Sequence, residues 1–353
     1  MSIDRFPRLT LPVATPPMEA KLVGELPSGN AWQYEPKFDG FRCLAFKDGR
    51  DIDLRSKSGQ PFNRYFPEVE AMLSGLTGNL LALDGELIVP VGEALSFDAL
   101  QARLHPAASR VRRLASETPA QFMLFDCLQI GSIALAEAPL SDRRAALESF
   151  FASESSPALL LSPYTTDAHE AARWLAESGG ALDGIVAKRR DAAYQPGERA
   201  MLKVKVRRTA DCVVGGYRLD SAGAAVASLL LGLFDAAGAL HHVGFTSAIA
   251  ADQRPALTRR LQALAGDSPF TGRAPGAPSR WNSGKSAEWR PVRPELVVEV
   301  GYDQVTGERF RHGTALLRFR PDKSPEQCRM DQLEREVRPS EIAEIVRRPL
   351  DVT

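Results

Sequence analysis

The sequence predicts an α+β protein with two domains, residues 1–207 and 208–353. The chain has 353 residues, which is longer than most single domains, and 44% of them are apolar, enough to fill two hydrophobic cores. Helix-like and strand-like runs are mixed up to about residue 207, whereas short β-like runs dominate after residue 209. This change of pattern indicates the boundary between the domains.

In the first domain, apolar alternation or short apolar runs predict strands, and wider apolar spacing predicts helices. Strands are expected at 32–46, 51–59, 80–90, 120–130, 183–190 and 200–208, and helices at 66–76, 96–104, 141–151 and 168–177. Asp48-Gly49 supplies the turn of a hairpin, Ser96 opens the second helix, and Gly179-Gly180 ends the last one.

In the second domain, the β-like runs are short and loosely spaced. They read DCVVGGYRL, VASLLLGLFD, ALHHVGFT, LVVEVGYDQV and ALLRFRP, and one helical stretch at 251–266 interrupts them. Several short strands with one helix predict a small Greek-key barrel of the oligonucleotide-binding (OB) type. Residues 267–294, rich in Pro, Gly and Ser, are expected to form a long loop.

Charge and cysteine usage exclude some classes without naming a partner. Basic and acidic residues number 44 each, so the net charge is zero and only a local basic patch could indicate nucleic acid. The cysteines, Cys43, Cys127, Cys212 and Cys328, are far apart, which argues against a zinc site and a disulfide framework. No apolar run of membrane-spanning length and no secretory pattern is present, so a cytoplasmic location is expected.

The stretch YEPKFDGFRCLAF places Lys37 inside a strand-like segment. An amine is a nucleophile only when it is neutral, and burial or nearby cations can lower the lysine pKa from its ordinary value of about 10.4. Asp39-Gly40 would form a tight turn that lets the backbone approach a ligand, and Arg42 could offer a planar fork to a ribose or phosphate oxygen.

Other predicted strands also carry polar groups in apolar surroundings. Four segments do so: LDGEL contains Asp84 and Glu86, FMLFD contains Phe125, DGIVAK contains Asp183 and Lys188, and LKVK contains Lys203 and Lys205. Taken singly, each is explained by a salt bridge or a core aromatic. Together they match what triphosphate chemistry needs, which is cations for phosphates, carboxylates for Mg²⁺ and an aromatic face for a base.

These segments resemble the nucleotidyltransferase motifs of ATP-dependent DNA ligases. EPKFDGFR, RSKSG, LDGEL, FMLFD, DGIVAK and LKVK occur in the order of that family, and RFRPDK at 318–323 is similar to its last motif. The chain looks most like the short bacterial ligase C type and also resembles the ligase module of end-joining ligase D. The resemblance implies an adenylation domain of antiparallel sheets with flanking helices, followed by an OB-fold domain.

The resemblance also implies a mechanism. Lys37 would attack the α-phosphate of ATP and become lysyl-AMP, with Mg²⁺ or Mn²⁺ as the second cofactor. AMP would then pass to a DNA 5′-phosphate, and a 3′-hydroxyl would displace it and seal the nick. Arg320, Asp322 and Lys323 in the OB domain would orient pyrophosphate, which requires that domain to close over the site, with a hinge near residues 206–212.

The family motifs assign roles to further residues. By resemblance, the nucleotide would be held by Glu35 at the adenine edge, Arg42 at the ribose, Glu86 at the ribose or metal, Phe125 stacked on adenine, and Lys203 and Lys205 with Arg199 at the α-phosphate. Asp183 would be a second metal ligand, although relatives usually carry glutamate there. Lys57 stands where many relatives have arginine, so either Arg55 or Lys57 contacts the nucleotide.

The expected macromolecular partner is nicked double-stranded DNA. Residues 188–208 contain the basic residues Lys188, Arg189, Arg190, Arg199, Lys203, Lys205, Arg207 and Arg208, against Asp191 and Glu198. Such a stretch can neutralise phosphates, although a solvated basic face is the alternative. TRRLQ at 258–262 and RFRHG at 309–313 are weaker candidates. A monomer at the bacterial nucleoid, working with repair proteins, is expected.

Two other functions stay open from the sequence. An RNA ligase or an mRNA capping guanylyltransferase forms the same lysyl-nucleotide, and a noncatalytic DNA-binding relative would keep the fold without the reaction. The RPDK ending and the PMEAKL lead-in favour a DNA ligase over the first, and the presence of Lys37 with both phosphate lysines argues against the second.

Overall fold

The structure is a computed structural model that describes residues 6–92, 94–177, 182–205, 208–276, 288–303 and 305–333. Contacts within the chain divide it into two compact units, with the division between Lys205 and Val206. The domain boundary at 207/208 stays a prediction. Among the described residues, no helix is long and apolar enough to cross a membrane.

The larger sheet of the first unit carries the predicted hairpin. Its described strands are β3 (Phe41–Asp48), β4 (Asp51–Ser56), β5 (Leu80–Ile88), β8 (Gln121–Ile130), β9 (Ile133–Ala134) and β10 (Leu159–Leu161). They run in the order β10-β8-β5-β3-β4, with β9 beside β8. Neighbours are antiparallel except β10 and β8, which are parallel.

A smaller sheet in the first unit has the strand order β1-β12-β11-β2. Its described strands are β1 (Ala20–Leu22), β2 (Trp32–Lys37), β11 (Gly184–Arg189) and β12 (Met201–Val204). β1 is parallel to β12, whereas β11 is antiparallel to both of its neighbours. A separate short hairpin pairs β6 (Pro90–Val91) with β7 (Ala94–Leu95).

The expected single strand at 32–46 is wrong, because the structure divides it between the two sheets. β2 ends at Lys37 and β3 begins at Phe41. Gly40 lies at the break, where a Cβ would meet the Leu87 carbonyl oxygen at 2.3 Å. Only glycine allows the chain to pass so close to β5. The predicted strand at 200–208 is confirmed only over Met201–Val204; residues 206–207 are not described, and a strand of the second unit begins at Arg208.

Five helices of the first unit lie in the described residues. They are α1 (Pro67–Gly75), α2 (Phe97–Ala102), α3 (Ala108–Glu117), α4 (Leu140–Ser153) and α5 (Ala168–Glu177). The Ser96 side chain accepts a hydrogen bond from the Ala99 N–H, which confirms the predicted N-cap of α2. Sequence analysis missed α3, because this polar helix has few large apolar side chains and Val111 is its one buried residue.

The core of the first unit lies between the larger sheet and its helices. Phe66, Leu73, Phe122 and Leu147 are almost fully buried there. The Lys47 ammonium is also buried and donates to the carbonyls of Leu73 and Leu76, at 2.9 and 2.8 Å. The ammonium thereby supplies hydrogen-bond donors to carbonyls at the C-terminal end of α1, which have no partners within the helix.

The second unit is an OB-type sheet with one described α-helix, α6 (Arg254–Ala263). Its strands are β13 (Arg208–Leu219), β14 (Val226–Phe234), β15 (Leu240–Thr246), β16 (Arg290–Pro291), β17 (Val297–Tyr302), β18 (Val305–Thr306), β19 (Arg309–Phe310) and β20 (Ala315–Phe319). The order of the main sheet is β15-β14-β13-β17-β20, with β16 beside β13. β18 pairs with β19.

The described strands of the second unit do not form a closed barrel. The edge strands β15 and β20 approach each other only at an isolated parallel bridge between Thr246 and Thr314. There the Thr314 N–H donates to the Phe245 carbonyl, and the Thr246 hydroxyl donates to the Thr314 carbonyl. The expected OB fold is confirmed as a partly open barrel, which is usual for this architecture.

Candidate nucleotide-binding site

A cavity of about 690 Å³ opens in the first unit, within the size range of small-molecule sites. It lies where strands of both sheets carry polar side chains. The predicted site residues that line it are Glu35, Lys37, Arg42, Lys57, Glu86, Phe125 and Lys203. The periodicity of the strands therefore brought together most of the nucleotide residues that the resemblance implied.

Lys37 lies at the end of β2 and points toward an acidic partner. Its Nζ is 2.6 Å from Asp183 Oδ2, and Lys205 Nζ is 2.9 Å from Asp183 Oδ1. The pairing follows from register, because Gly184 faces Lys37 across the β2–β11 pair and the Asp183 N–H donates to the Lys37 carbonyl. The side chain of Asp183 is only 8% exposed, and its two oxygens each pair with one lysine.

The expected lowering of the Lys37 pKa is wrong for this state of the protein. Burial acts to lower the pKa of Lys37, but the charges of Asp183, Glu86 and Asp39 and the hydrogen bond to Asp183 outweigh it and raise the pKa. The pKa of Asp183 is correspondingly lowered, because its two lysine partners outweigh its burial. Lys37 is thus a protonated, ion-paired ammonium here.

Glu86 lies in the cavity wall with no hydrogen bond or ion pair to any described residue. Burial raises the pKa of Glu86 to about 7, although the charges of Lys37 and Arg42 act in the opposite direction. A half-buried carboxylate without a direct partner is suited to a cation brought in with a ligand.

Phe125 stands between two cations at the other end of the cavity. The Arg42 guanidinium carbon is 4.5 Å from the ring centroid, and Lys188 Nζ is 4.7 Å from it. Lys188 is buried and pairs with Glu35 at 2.8 Å, while Gln33 donates to the other Glu35 oxygen at 2.9 Å. Lys188 therefore belongs to the cavity, as expected for the DGIVAK motif, and not to a surface open to DNA.

Arg42 is held by a buried acid that sequence analysis left without a partner. Its guanidinium donates to both oxygens of Asp84, at 2.5 and 2.6 Å. The Tyr194 hydroxyl also donates to Asp84, at 2.6 Å. Burial acts to lower the pKa of Arg42, but the charge of Asp84 and its hydrogen bonds raise it. Asp84 thus fixes Arg42 beside the Phe125 ring.

The structure separates Lys57 from Arg55. Lys57 lines the cavity and lies 3.1 Å from Glu19, another lining residue. Arg55 instead pairs with Asp53 on its own strand. Arg199 is exposed and 4.0 Å from Glu19, and it is not among the residues that line the cavity. Of these three cations, only Lys57 borders the site.

Lys203 and Lys205 lie at alternate positions, as expected, but they face different surroundings. Lys203 lines the cavity, and its pKa is lowered by burial and then by the charges of Lys37, Lys205 and Lys57. Lys205 is tied to Asp183. A partly buried lysine with a lowered pKa among other cations is a favourable place for an anion.

The predicted motif of the second unit forms its own ion network. Arg320 donates to both oxygens of Asp211, at 3.0 and 3.1 Å, and also pairs with Asp322 at 2.8 Å. Lys323 reaches the same Asp211 at 2.7 Å. Sequence analysis missed Asp211, because nothing in the local pattern relates it to residues more than 100 positions away.

The end of the basic stretch differs from expectation. Arg208 is buried and donates to the Asp303 carbonyl at 2.8 Å, so it does not belong to an exposed face. Arg189 pairs with Asp191 at 2.6 Å, and Arg190 is exposed. Arg207 lies outside the described residues. The expected hinge at 206–212 overlaps β13 from Arg208 onward, and residues 206–207 are likewise not described.

Comparisons with known proteins identify the family of the chain. The model of the ATP dependent DNA ligase domain matches residues 17–205, and that of the ATP dependent DNA ligase C terminal region matches residues 222–323. DNA ligase C2 of Mycolicibacterium smegmatis is 46% identical over 344 residues, which cover 92% of this chain and 96% of that protein.

Two further relatives are more distant. The multifunctional non-homologous end joining DNA repair protein LigD of Mycobacterium tuberculosis is 29% identical over 300 residues, covering 83% of this chain and 37% of that protein. A solved Lig E DNA ligase shares the fold, with a TM-score of 0.52 at 17% identity, covering 86% of this chain and 99% of the other. From the two matching domain models and the 46% identity, this chain belongs to the ATP-dependent DNA ligase family.

Proposed function

We propose that the protein seals nicks in double-stranded DNA with ATP, through a lysyl-AMP on Lys37. The observation that carries the proposal is the cavity of an ATP-dependent DNA ligase domain with Lys37 in its wall and cations, carboxylates and an aromatic ring around it. Lys37 Nζ forms a bond to the α-phosphorus, and the bond from that phosphorus to pyrophosphate breaks. A DNA 5′-phosphate oxygen then bonds to the same phosphorus as the Lys37 N–P bond breaks, and finally a 3′-hydroxyl attacks the 5′-phosphorus of the DNA and displaces AMP.

Before Lys37 attacks, it must lose the proton that its carboxylate neighbours stabilise. Burial alone acts to lower the Lys37 pKa, and the Asp183 pair reverses that effect. Drawing Asp183 toward another cation would remove the largest charge that raises the Lys37 pKa, so the balance would shift toward burial, which favours the neutral amine. We infer that nucleotide binding, rather than the resting protein, activates Lys37.

The two ends of the cavity suit the two ends of a nucleotide. Phe125 offers a ring face to the base, with Glu35 at the base edge and Arg42 and Glu86 toward the ribose. Lys203, Lys205 and Lys57 supply positive charge for the phosphates. Because Arg199 is exposed and does not line the cavity, we do not assign it to the α-phosphate.

Glu86 and Asp183 fit a Mg²⁺ or Mn²⁺ ion only together with nucleotide phosphates. Among the described residues, no cluster of three or more acidic, histidine or cysteine side chains could hold a metal ion alone. One or two carboxylates plus substrate phosphates is the usual protein environment of Mg²⁺. Such a cation would neutralise charge on the transferring phosphate.

Arg320, Asp322 and Lys323 are proposed to orient pyrophosphate. The Arg320 guanidinium and the Lys323 ammonium both donate to the Asp211 carboxylate, and a phosphate would compete with that carboxylate for the two cations. We also propose that the protein is a monomer and that it works with repair proteins at the bacterial nucleoid. The repair role draws support from the likeness to the ligase region of LigD.

A nick-sealing assay tests the function. Wild-type protein with ATP and Mg²⁺ should join a nicked DNA duplex, and Lys37→Ala should reduce joining by more than 1000-fold, because the nucleophile is lost. Lys21→Ala is the matched control, since Lys21 is exposed on β1 and outside the cavity. Sealing of RNA nicks alone would instead indicate an RNA ligase, and equal activity of Lys37→Ala would contradict the mechanism.

A further inference from the structure

Tyr194 is a buried residue that has no role in the proposed reaction. It lies between β11 and β12, outside the strands, and its side chain is 2% exposed. Its hydroxyl donates to Asp84 at 2.6 Å and accepts a hydrogen bond from the Met18 N–H at 2.9 Å. Tyr194 does not itself line the cavity, whereas Met18 does. The hydroxyl is therefore one contact away from the cavity wall.

The hydrogen bonds around Tyr194 form a closed ring that contains Arg42. Arg42 donates from Nε and Nη2 to the two oxygens of Asp84, at 2.5 and 2.6 Å, and Nη2 also donates to the Met18 carbonyl at 3.2 Å. The Met18 N–H leads back to the Tyr194 hydroxyl, which bonds Asp84. The ring thus joins the segment before β1, the strands β3 and β5, and the segment before β12.

The Tyr194 hydroxyl stays protonated and is a constant donor to Asp84. Burial, followed by the charge of Asp84, raises the pKa of Tyr194 well above its usual range. The same oxygen accepts the Met18 N–H, so one hydroxyl serves two buried groups. Phenylalanine at this position would take one donor from Asp84 and leave the Met18 N–H without this acceptor.

The ring occupies two of the three guanidinium nitrogens of Arg42. Nε and Nη2 are bonded to Asp84 and Met18, whereas Nη1 makes no hydrogen bond within the part of the chain that the structure describes. Arg42 lines the cavity, so Nη1 is the nitrogen available to a ligand. Because the guanidinium is planar, fixing Nε and Nη2 also fixes the direction of the Nη1 donors.

We propose that Tyr194 is a positioning residue that sets the preference of the nucleotide site for ribose over deoxyribose. It acts through Asp84 and the Met18 backbone, which together aim Arg42 at a sugar hydroxyl. The inference rests on the proposed function, which places Arg42 toward the ribose of ATP. A sugar without that hydroxyl leaves the aimed N–H of Arg42 without its partner, so discrimination depends on how firmly Arg42 is held.

Nucleotide transfer to Lys37 in the full chain, with ATP, 2′-deoxy-ATP and 3′-deoxy-ATP, tests the role of Tyr194. Wild-type kcat/KM for ATP should exceed that for at least one deoxy analogue by about 10-fold or more, because a hydrogen bond to a charged group is lost. In Tyr194→Phe that ratio should fall by about three- to tenfold. The KM for ATP should rise while kcat stays close to wild type, since the sugar is not the reacting group.

Tyr34→Phe is the matched control. Tyr34 is a fully buried tyrosine of the same unit whose hydroxyl donates to the Pro27 carbonyl at 2.6 Å, and it does not line the cavity. Its variant loses a comparable hydrogen bond but should keep the wild-type ratio. Equal falls in kcat/KM for all three nucleotides in Tyr194→Phe would overturn the proposal. So would a ratio that falls as much in Tyr34→Phe, because it would show a general effect of stability.

Arg42→Lys tests whether Tyr194 acts through Arg42. Lysine keeps the charge but cannot form the planar fork, so the preference for ATP over the deoxy analogue should fall in this variant as well. Adding Tyr194→Phe to Arg42→Lys should lower the ratio no further, as expected when two changes act on one contact. A full additional fall in the double variant would contradict the proposed route.

The same assay distinguishes this inference from the proposed function. Wild-type protein that never forms lysyl-AMP would contradict the proposed function. Wild-type protein that uses ATP and both deoxy analogues equally well, or a Tyr194→Phe variant with an unchanged ratio, would contradict only the inference about Tyr194.

Discussion

At the residue scale, the cations of the site outnumber the carboxylates that pair with them. Asp183 neutralises both Lys37 and Lys205, and Asp84 holds Arg42, while Glu86 lacks a direct partner among the described residues. This arrangement keeps Lys37 protonated at rest. The amine that we propose as the nucleophile is therefore in place but protonated, and it would become reactive only when a ligand rearranges the charges around it.

The raised pKa of Glu86 makes stability depend on pH. Its pKa is about 7 in the folded protein against an ordinary 4.5, so the folded state holds a proton that the unfolded state has lost between these values. The stability contributed by Glu86 is full below about pH 4.5 and is lost as pH rises through 7. Above pH 7 the ionised carboxylate is a net cost.

Glu86→Gln should therefore stabilise the protein increasingly from pH 5 to pH 8. The gain at pH 8 should be about 1–3 kcal/mol, less than the full linkage value because the side chain is partly exposed. Calorimetric melting at both pH values measures it. Glu25→Gln, at an exposed site, is the control, and a gain from Glu86→Gln that does not grow with pH would contradict the assignment.

Residue positions were predictable where the family motifs could be matched to the sequence. The resemblance to ligase motifs assigned Glu35, Lys37 and Phe125 to one nucleotide site, and all three line one cavity in the structure. The pairings Arg42–Asp84 and Arg320–Asp211 were not predictable, because they join residues 42 and 109 positions apart. Their partners depend on sheet order, which the local pattern does not contain.

At the element scale, close backbone approach shapes the site. The break at Gly40 sends β2 and β3 into different sheets, so Lys37 and Arg42 face one cavity from two directions. A Cβ at Gly40 would meet the Leu87 carbonyl oxygen at 2.3 Å and Glu86 Cγ at 2.6 Å. The sequence showed a glycine here, but a strand pattern running through it concealed the break.

Gly40→Ala should displace β5 next to Glu86. Overpacking of this kind costs about 1–3 kcal/mol, and we expect a matching fall in unfolding free energy together with slower Lys37 adenylation. Denaturant unfolding and a single-turnover adenylation assay measure the two effects. Gly24→Ala is the control, because a Cβ there has no neighbour within 4 Å. Equal behaviour of the two variants would contradict the close-approach account.

At the scale of the whole molecule, the sequence predicted the fold types of the two units and their order along the chain. It did not predict whether the β-barrel of the second unit closes. A mixed α+β unit followed by an OB-type unit was evident from the change in strand spacing. The open barrel was not, since closure depends on whether Thr246 and Thr314 extend their bridge into a ladder. Local periodicity says which residues form strands but not how many hydrogen bonds their edges share.

The most direct test of the account is peptide mass spectrometry of the protein after incubation with ATP and Mg²⁺ in the absence of DNA. We expect one AMP attached to Lys37 Nζ, released again by excess pyrophosphate and absent from Lys37→Ala. Attachment of AMP to another residue, or wild-type protein that stays unmodified while correctly folded, would contradict the claim that Lys37 is the nucleophile.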